Sequence, residues 1–172
     1  MQFLRWLDRF LARLEDWLII AMVATITSLL GLGVVLRYVF NDPLTWAEEF
    51  VITLLVWAVM LGVPSALRSQ MHIRIDVMIL RLSGTARRLV GGIACLAGLA
   101  IMCTAIYAGY SHTVGVWNSR TPMLGFSMGW IFLAMPVGFA LALFHGSMVL
   151  IEEGPERVFQ NATETVIDSA PV

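Results

Sequence analysis

Two groups of residues have the types and spacing to do chemistry. The first is Arg37-Tyr-Val-Phe-Asn41-Asp-Pro43-Leu-Thr-Trp46-Ala-Glu48-Glu49. Asn41-Asp42-Pro43 is a strong turn signal, so Arg37 and the two glutamates are expected to face one another across a hairpin. The chemistry on offer is an ion pair that pins the hairpin, or a buried charged contact to another protein. Such a pair near an interface contributes on the order of 1 kcal/mol, less where water reaches it. The second group is Arg68-Ser-Gln-Met-His72-Ile-Arg-Ile-Asp76. It reads either as a basic anchor at anionic headgroups or as a polar joint holding a loop against the rest of the fold.

Neither group has the makings of an active site. No His, Cys, Asp and Glu cluster has metal-ligand spacing. There is no Gly-rich phosphate loop, and no Ser-His-Asp set that one depth could assemble. Haem would need axial ligands within reach of one iron. His112 closes the third apolar run, whereas His145 lies roughly 17 residues into the fourth, ~25 Å away along a helix. His72 falls in a loop. Cys95 and Cys103 share one apolar run and are ~12 Å apart as a helix, too far for a disulfide; they read as small apolar side chains of a packed helix. The expectation is a protein that is not an enzyme and holds no cofactor.

The elements that must position these residues are membrane helices. Hydrophobic residues make up 59% of the 172 and charged residues 13%, against roughly 45–50% and about 25% in soluble domains. The net charge of −1 gives no reason to expect a nucleic-acid partner. The apolar residues cluster into four runs, about 17–38, 45–67, 89–110 and 128–151. Each matches the ~20 residues a helix needs to cross a bilayer, so the fold class is an all-α polytopic membrane protein in a domain spanning 17–151. Glu48 and Glu49 fall in the first turn of the second run, where the helix dipole favours negative charge. Pro64 lies near its far end, a place for a kink.

Residues 1–16 form an amphipathic pattern. Phe3, Trp6, Leu7, Phe10, Leu11 and Leu14 lie on one helical face, and Gln2, Arg5, Asp8, Arg9, Arg13 and Asp16 on the other. This predicts a helix that rests in the headgroup region or packs on a neighbouring protein. The acidic residues Asp8, Glu15 and Asp16 interrupt the basic region a signal peptide would show, so the segment is expected to be retained. A second short interfacial helix is expected over Asp76–Leu82. Residues 152–172 turn acidic and then polar, and are expected to be a disordered tail.

Arginine supplies every Lys/Arg charge. Three arginines precede the first run and five lie between the second and third, against one each, Arg37 and Arg120, in the other two loops. Positive-inside bias then puts both termini and the middle loop in the cytoplasm. No Asp, Glu or Arg sits near the centre of any run, and an intramembrane ionisable residue is the usual mark of a pathway. The fourth run also carries Ala134, Gly138, Ala142 and Gly146, a small-residue stripe that lets helix backbones approach closely. It serves an internal contact or a larger membrane partner.

The run RYVFNDPLTWAEEF resembles the outer hairpin of the small membrane subunit of tripartite ATP-independent periplasmic (TRAP) transporters. ALRSQMHIRIDV is similar to that family's Arg-x-x-x-His-Ile-x-x-Asp stretch, and AMPVGFALAL fits its last span. The resemblance implies an unfused small subunit in the bacterial inner membrane, paired with a large permease. That permease would hold the substrate and sodium sites and move as an elevator. A periplasmic substrate-binding protein would deliver a carboxylate-type solute. By the same resemblance Arg37, Asn41, Pro43, Trp46, Glu48 and Glu49 are the outer motif, and Arg68, His72 and Asp76 the inner one. Two other readings compete: the membrane anchor of an electron-transfer complex, and a stand-alone small channel.

Overall fold

The computed structural model describes residues 2–68 and 84–157. Helix α1 (Gln2–Val35) closes in a π-helical turn, Leu36–Phe40; α2 is Thr45–Arg68, α3 Gly84–Gly115, α4 the single turn Gly129–Phe132, and α5 Ala134–Arg157. Among the described residues the one β feature is an isolated bridge between Arg120 and Ser127. The chain is an all-α membrane protein. Three stretches, Phe3–Phe40, Thr45–Leu67 and Gly129–Met148, are long and apolar enough to cross a bilayer. Helix α3, with 32 residues, has the length at ~48 Å; a fourth crossing rests on the uncharged sequence between Leu89 and Tyr110.

Several hydroxyl side chains inside these helices are satisfied locally, as hydrocarbon surroundings require. Thr25, Thr27 and Ser28 donate to the carbonyls of Ala21, Val23 and Ala24, four residues back. Thr104 and Thr113 do the same to Ala100 and Gly109. A hydroxyl bonded back to its own helix presents little polarity to its surroundings.

No break separates residues 2–16 from the first span. Helix α1 runs 34 residues without interruption, ~51 Å, so the amphipathic segment expected as an element of its own is continuous with the crossing. Neither Pro nor Gly occurs before Gly31 to stop it. At the other end α5 continues past Ile151 to Arg157, six residues into the stretch expected to be a disordered tail. The expected loop helix Asp76–Leu82 and the remainder of the tail lie outside the described residues. The start of the fourth run also differs from a single helix. A break at Leu133 divides α4 from α5, and Pro136 has no N–H to give the carbonyl of Phe132.

The helices pack as a row in the order α1, α2, α5, α3. Helices α2 and α5 form the centre, α1 lies mainly against α2, and α3 against α5. Helix α1 touches α5 slightly, and α3 scarcely meets α1 or α2. The buried apolar side chains follow suit: Ala47, Val51, Ala58 and Leu61 on α2, Ala134 and Ala142 on α5. The small-residue stripe makes the central seam. A Cβ on Gly138 would stand 2.4 Å from the backbone oxygen of Met60, and one on Gly146 would meet Leu67 at 3.1 Å. Met60 is the residue whose carbonyl Pro64 would have served, and Pro64, fully buried, has no N–H. A proline on one helix and a glycine on the other thus bring the two backbones together. The α3–α5 seam repeats the device, with Gly109 closing on Pro136, whose Cδ would be 3.0 Å from an added Cβ.

Candidate functional site

The outer hairpin is built by the π-turn. Asn41 adopts the left-handed conformation at φ 52°, which asparagine tolerates better than other side chains with a Cβ. Asp42 N–H then donates back to the Leu36 carbonyl at 3.1 Å, and Pro43 directs the chain toward α2. Arg37 and Glu48 face each other as the sequence suggests, 3.8 Å apart. The pair is wet, with side-chain exposures of 59% and 71%. The walls between the end of α1 and the start of α2 bound a cleft of about 210 Å³ lined by Gly33, Arg37, Tyr38, Pro43 and Glu48 among others.

Glu49 departs from the expected three-way cluster. Its Oε2 accepts the backbone N–H groups of Met123 and Leu124 at 3.1 and 2.7 Å. Its neighbour Glu48 pairs with arginine while Glu49 holds the connection between α3 and α4. The physical reason is helical phase: adjacent residues on α2 point ~100° apart, so one turns toward α1 and the other away. That connection is itself a compact structure. Thr121 N–H donates to Phe126 O, Gly125 N–H to Thr121 O, and Met128 N–H to Ser119 O. Gly125 takes a φ of +68°, where a side chain would be strained. The Ser127 hydroxyl donates to the Trp117 carbonyl, and Arg120 to the Gly125 carbonyl. The turn α4 that follows is also fastened to α2, where Trp57 Nε1 donates to Trp130 O at 3.1 Å. Trp46, half-exposed, leans on Phe50 with ring centres 6.5 Å apart.

The inner motif is only begun in the structure. Arg68 is the last residue of α2; His72 and Asp76 lie outside the described residues. Ala134, Gly138, Ala142 and Gly146, offered by the sequence to either an internal seam or a partner, are used internally, with Ala134 and Ala142 wholly buried. Cys103, expected in a packed position, is an exposed free thiol on α3.

One cluster escaped the sequence reading. His145 on α5 is 1% exposed. Its Nδ1 lies 2.6 Å from Asp8 Oδ1 and its Nε2 3.0 Å from Glu15 Oε1. Beside it, Ser65 of α2 donates to Asp16 Oδ1 at 3.3 Å. The available signal was the spacing of Asp8 and Glu15, two helical turns apart on one face. His112 stands at the opposite end of the row, edge-on to Phe132 at 4.5 Å. Among the described residues no group of three or more His, Cys, Asp and Glu is placed to hold a metal ion.

An open row of apolar helices, uncharged through their middles and fastened at both ends by polar contacts, defines a polytopic membrane component. Residues 26–153 match the family described as tripartite ATP-independent periplasmic transporters, DctQ component, and the chain belongs to that family: it is a small permease component of a TRAP transporter. It is 26% identical over 166 residues to the C4-dicarboxylate TRAP transporter small permease protein DctQ of Vibrio cholerae, covering 81% of this chain and 72% of that one. Against the sialic acid TRAP transporter small permease protein SiaQ of the same organism the identity is 24%, covering 82% of each chain. The sialic acid TRAP transporter permease protein SiaT of Haemophilus influenzae is 29% identical over 140 residues, which are 79% of this chain and 22% of that longer protein.

Proposed function

We propose that this chain is the non-catalytic scaffold of its TRAP transporter. In this reading it pairs with a large elevator-type permease and holds the stationary part of that permease in place. It crosses the bacterial inner membrane four times with both termini in the cytoplasm. The large subunit carries the substrate and sodium sites, and a periplasmic binding protein delivers the solute. The solute class is an organic acid; the relatives named for C4-dicarboxylate and for sialic acid both belong to transporters of carboxylates.

The observation that supports a scaffold most directly is where the ionisable side chains stand. Arg37, Glu48 and Glu49 sit at the hairpin end, and Asp8, Glu15, Asp16 and His145 at the other. A translocation path through the chain itself would place such groups along the helix middles. The small-residue stripe spent on an internal seam lets α2 and α5 approach closely, the kind of contact a stationary element needs.

The test is co-purification and uptake together. A tagged chain should bring down a large multispan permease from detergent extracts, its deletion should abolish uptake, and the chain alone in vesicles should pass no solute. If uptake survives the deletion while the chain purifies alone, the proposal fails. A Soret band in the purified protein would instead favour the electron-transfer anchor.

A further inference from the structure

We infer that His145 is a buried imidazolium that latches the first four turns of α1 to α5 through Asp8 and Glu15, and so sets the rotation of α1. The argument begins with proton counting. An ionised carboxylate only accepts hydrogen bonds, and a neutral imidazole has one N–H and one bare nitrogen. Both ring nitrogens of His145 lie within 3.0 Å of a carboxylate oxygen, so each gap needs its own proton. Two protons for one ring and two carboxylates give either an imidazolium or a neutral ring facing one carboxylic acid. With a carboxylate oxygen against each nitrogen, the imidazolium meets two opposite charges at once, so the ring holds both.

The geometry then explains why two carboxylates are used. Asp8 and Glu15 are seven residues apart, ~10.5 Å along α1 and within ~20° of each other around it. A single contact would leave the helix free to roll; two contacts to one ring, two turns apart, fix both its rotation and its register. The opposite face of α1 carries Phe3, Trp6, Phe10, Leu14 and Trp17, each exposed, with Phe3, Trp6 and Phe10 stacked in sequence. The acidic face therefore points into the protein and the aromatic face out of it. This reverses the arrangement of a soluble domain and matches apolar surroundings. The other charged groups on this part of α1 are Arg5, Arg9, Arg13 and Asp16; a cluster with net charge −1 is compatible with arginines on the same helix.

The experiment uses the full chain co-expressed with its large permease and placed in lipid nanodiscs. With ¹⁵N-labelled histidine at pH 7.5, the His145 signal, assigned by its loss in His145→Gln, should show two protonated ring nitrogens. A neutral-tautomer signal overturns the inference. Amide exchange over residues 2–15 should rise about tenfold or more in His145→Phe, which keeps the ring volume but removes both donors, since a buried pair that loses one partner is strongly weakened. Exchange equal to wild type in His145→Phe means that the ring merely fills space, and the latch is wrong. Asp8→Asn with Glu15→Gln keeps the side-chain volumes and acceptor oxygens while removing both charges. It should abolish the imidazolium signature, and persistence of that signature likewise overturns the assignment.

Discussion

At the scale of residues, the hairpin separates two neighbouring glutamates into different tasks. The Arg37–Glu48 pair is more than half exposed on both sides and 3.8 Å long, the kind of contact that contributes less than about 1 kcal/mol. Reversing Arg37 to Glu should therefore shift thermal stability in detergent only slightly, and Glu48→Arg on top of it should recover that shift. A large loss from Arg37→Glu, unrecovered by Glu48→Arg, would show that the arginine serves a partner instead. Glu49 is the more consequential residue, because its carboxylate accepts two backbone N–H groups. Hydrogen bonds to an ionised acceptor contribute about 1.5–3 kcal/mol. Glu49→Ala should speed amide exchange at Met123 and Leu124, whereas Glu49→Gln, which keeps a carbonyl oxygen, should protect them substantially. Equal protection in all three proteins would show that the loop holds itself. From sequence the Arg37–Glu48 pairing was readable since both ends lie within one hairpin. The Glu49 contact was not, because its target is main chain more than 70 residues away and any residue type supplies an N–H.

At the scale of elements, the seam between α2 and α5 depends on Gly138 having no side chain. Its Cβ position lies 2.4 Å from the Met60 oxygen and 2.9 Å from the Met60 carbonyl carbon, and backbone cannot move aside as a side-chain tip can. Gly138→Ala must push the helices apart. Overpacking a tight site costs about 1–3 kcal/mol, and here the contact is with main chain, so the upper end is expected. Size-exclusion and thermal melts of the purified complex would read it, with Gly98→Ala on α3 as a control, because nothing lies within 4 Å of that position. If the two variants behave alike, the seam is looser than described. The stripe at Ala134, Gly138, Ala142 and Gly146 was legible as a close-approach surface because its spacing is helical. Its partner was not, since Pro64 and Met60 gain their meaning only once two helices are set side by side. The same limit hid His145: a histidine one residue before Gly146 has no local signature, and the carboxylates it meets come from the other end of the chain. The continuity of α1 was lost for a different reason. Its amphipathic segment and its span share one helical period, and the change of composition at Trp17 looks like a boundary although no residue there stops a helix.

At the scale of the whole molecule, the row makes a prediction that a closed bundle would not. In a closed four-helix bundle each helix touches two neighbours around a shared core, and loosening one seam disturbs all four. Here α3 is held mainly by α5, at Gly109 against Pro136 and Met135, while α1 and α2 share their own contacts on the far side of α5. Gly109→Val would drive a side chain into Pro136, where even a Cβ would be 3.0 Å from Cδ and 3.2 Å from the ring nitrogen. The expected result is local: amide exchange in α3 rises about tenfold, as for a separately opening unit, while α1 and α2 keep their protection. Gly138→Ala, at the central seam, should instead raise exchange on both sides. An equal rise throughout the chain in Gly109→Val would contradict the row and require a common core. The distinction bears on function, because an open row leaves both broad faces and the outer side of α3 available to lipid or to a larger subunit. A closed bundle would have spent much of that surface on itself. The scaffold role proposed above would draw on the first arrangement: a close α2–α5 seam, polar fastenings at either end, and contact area on faces that its own helices leave uncovered.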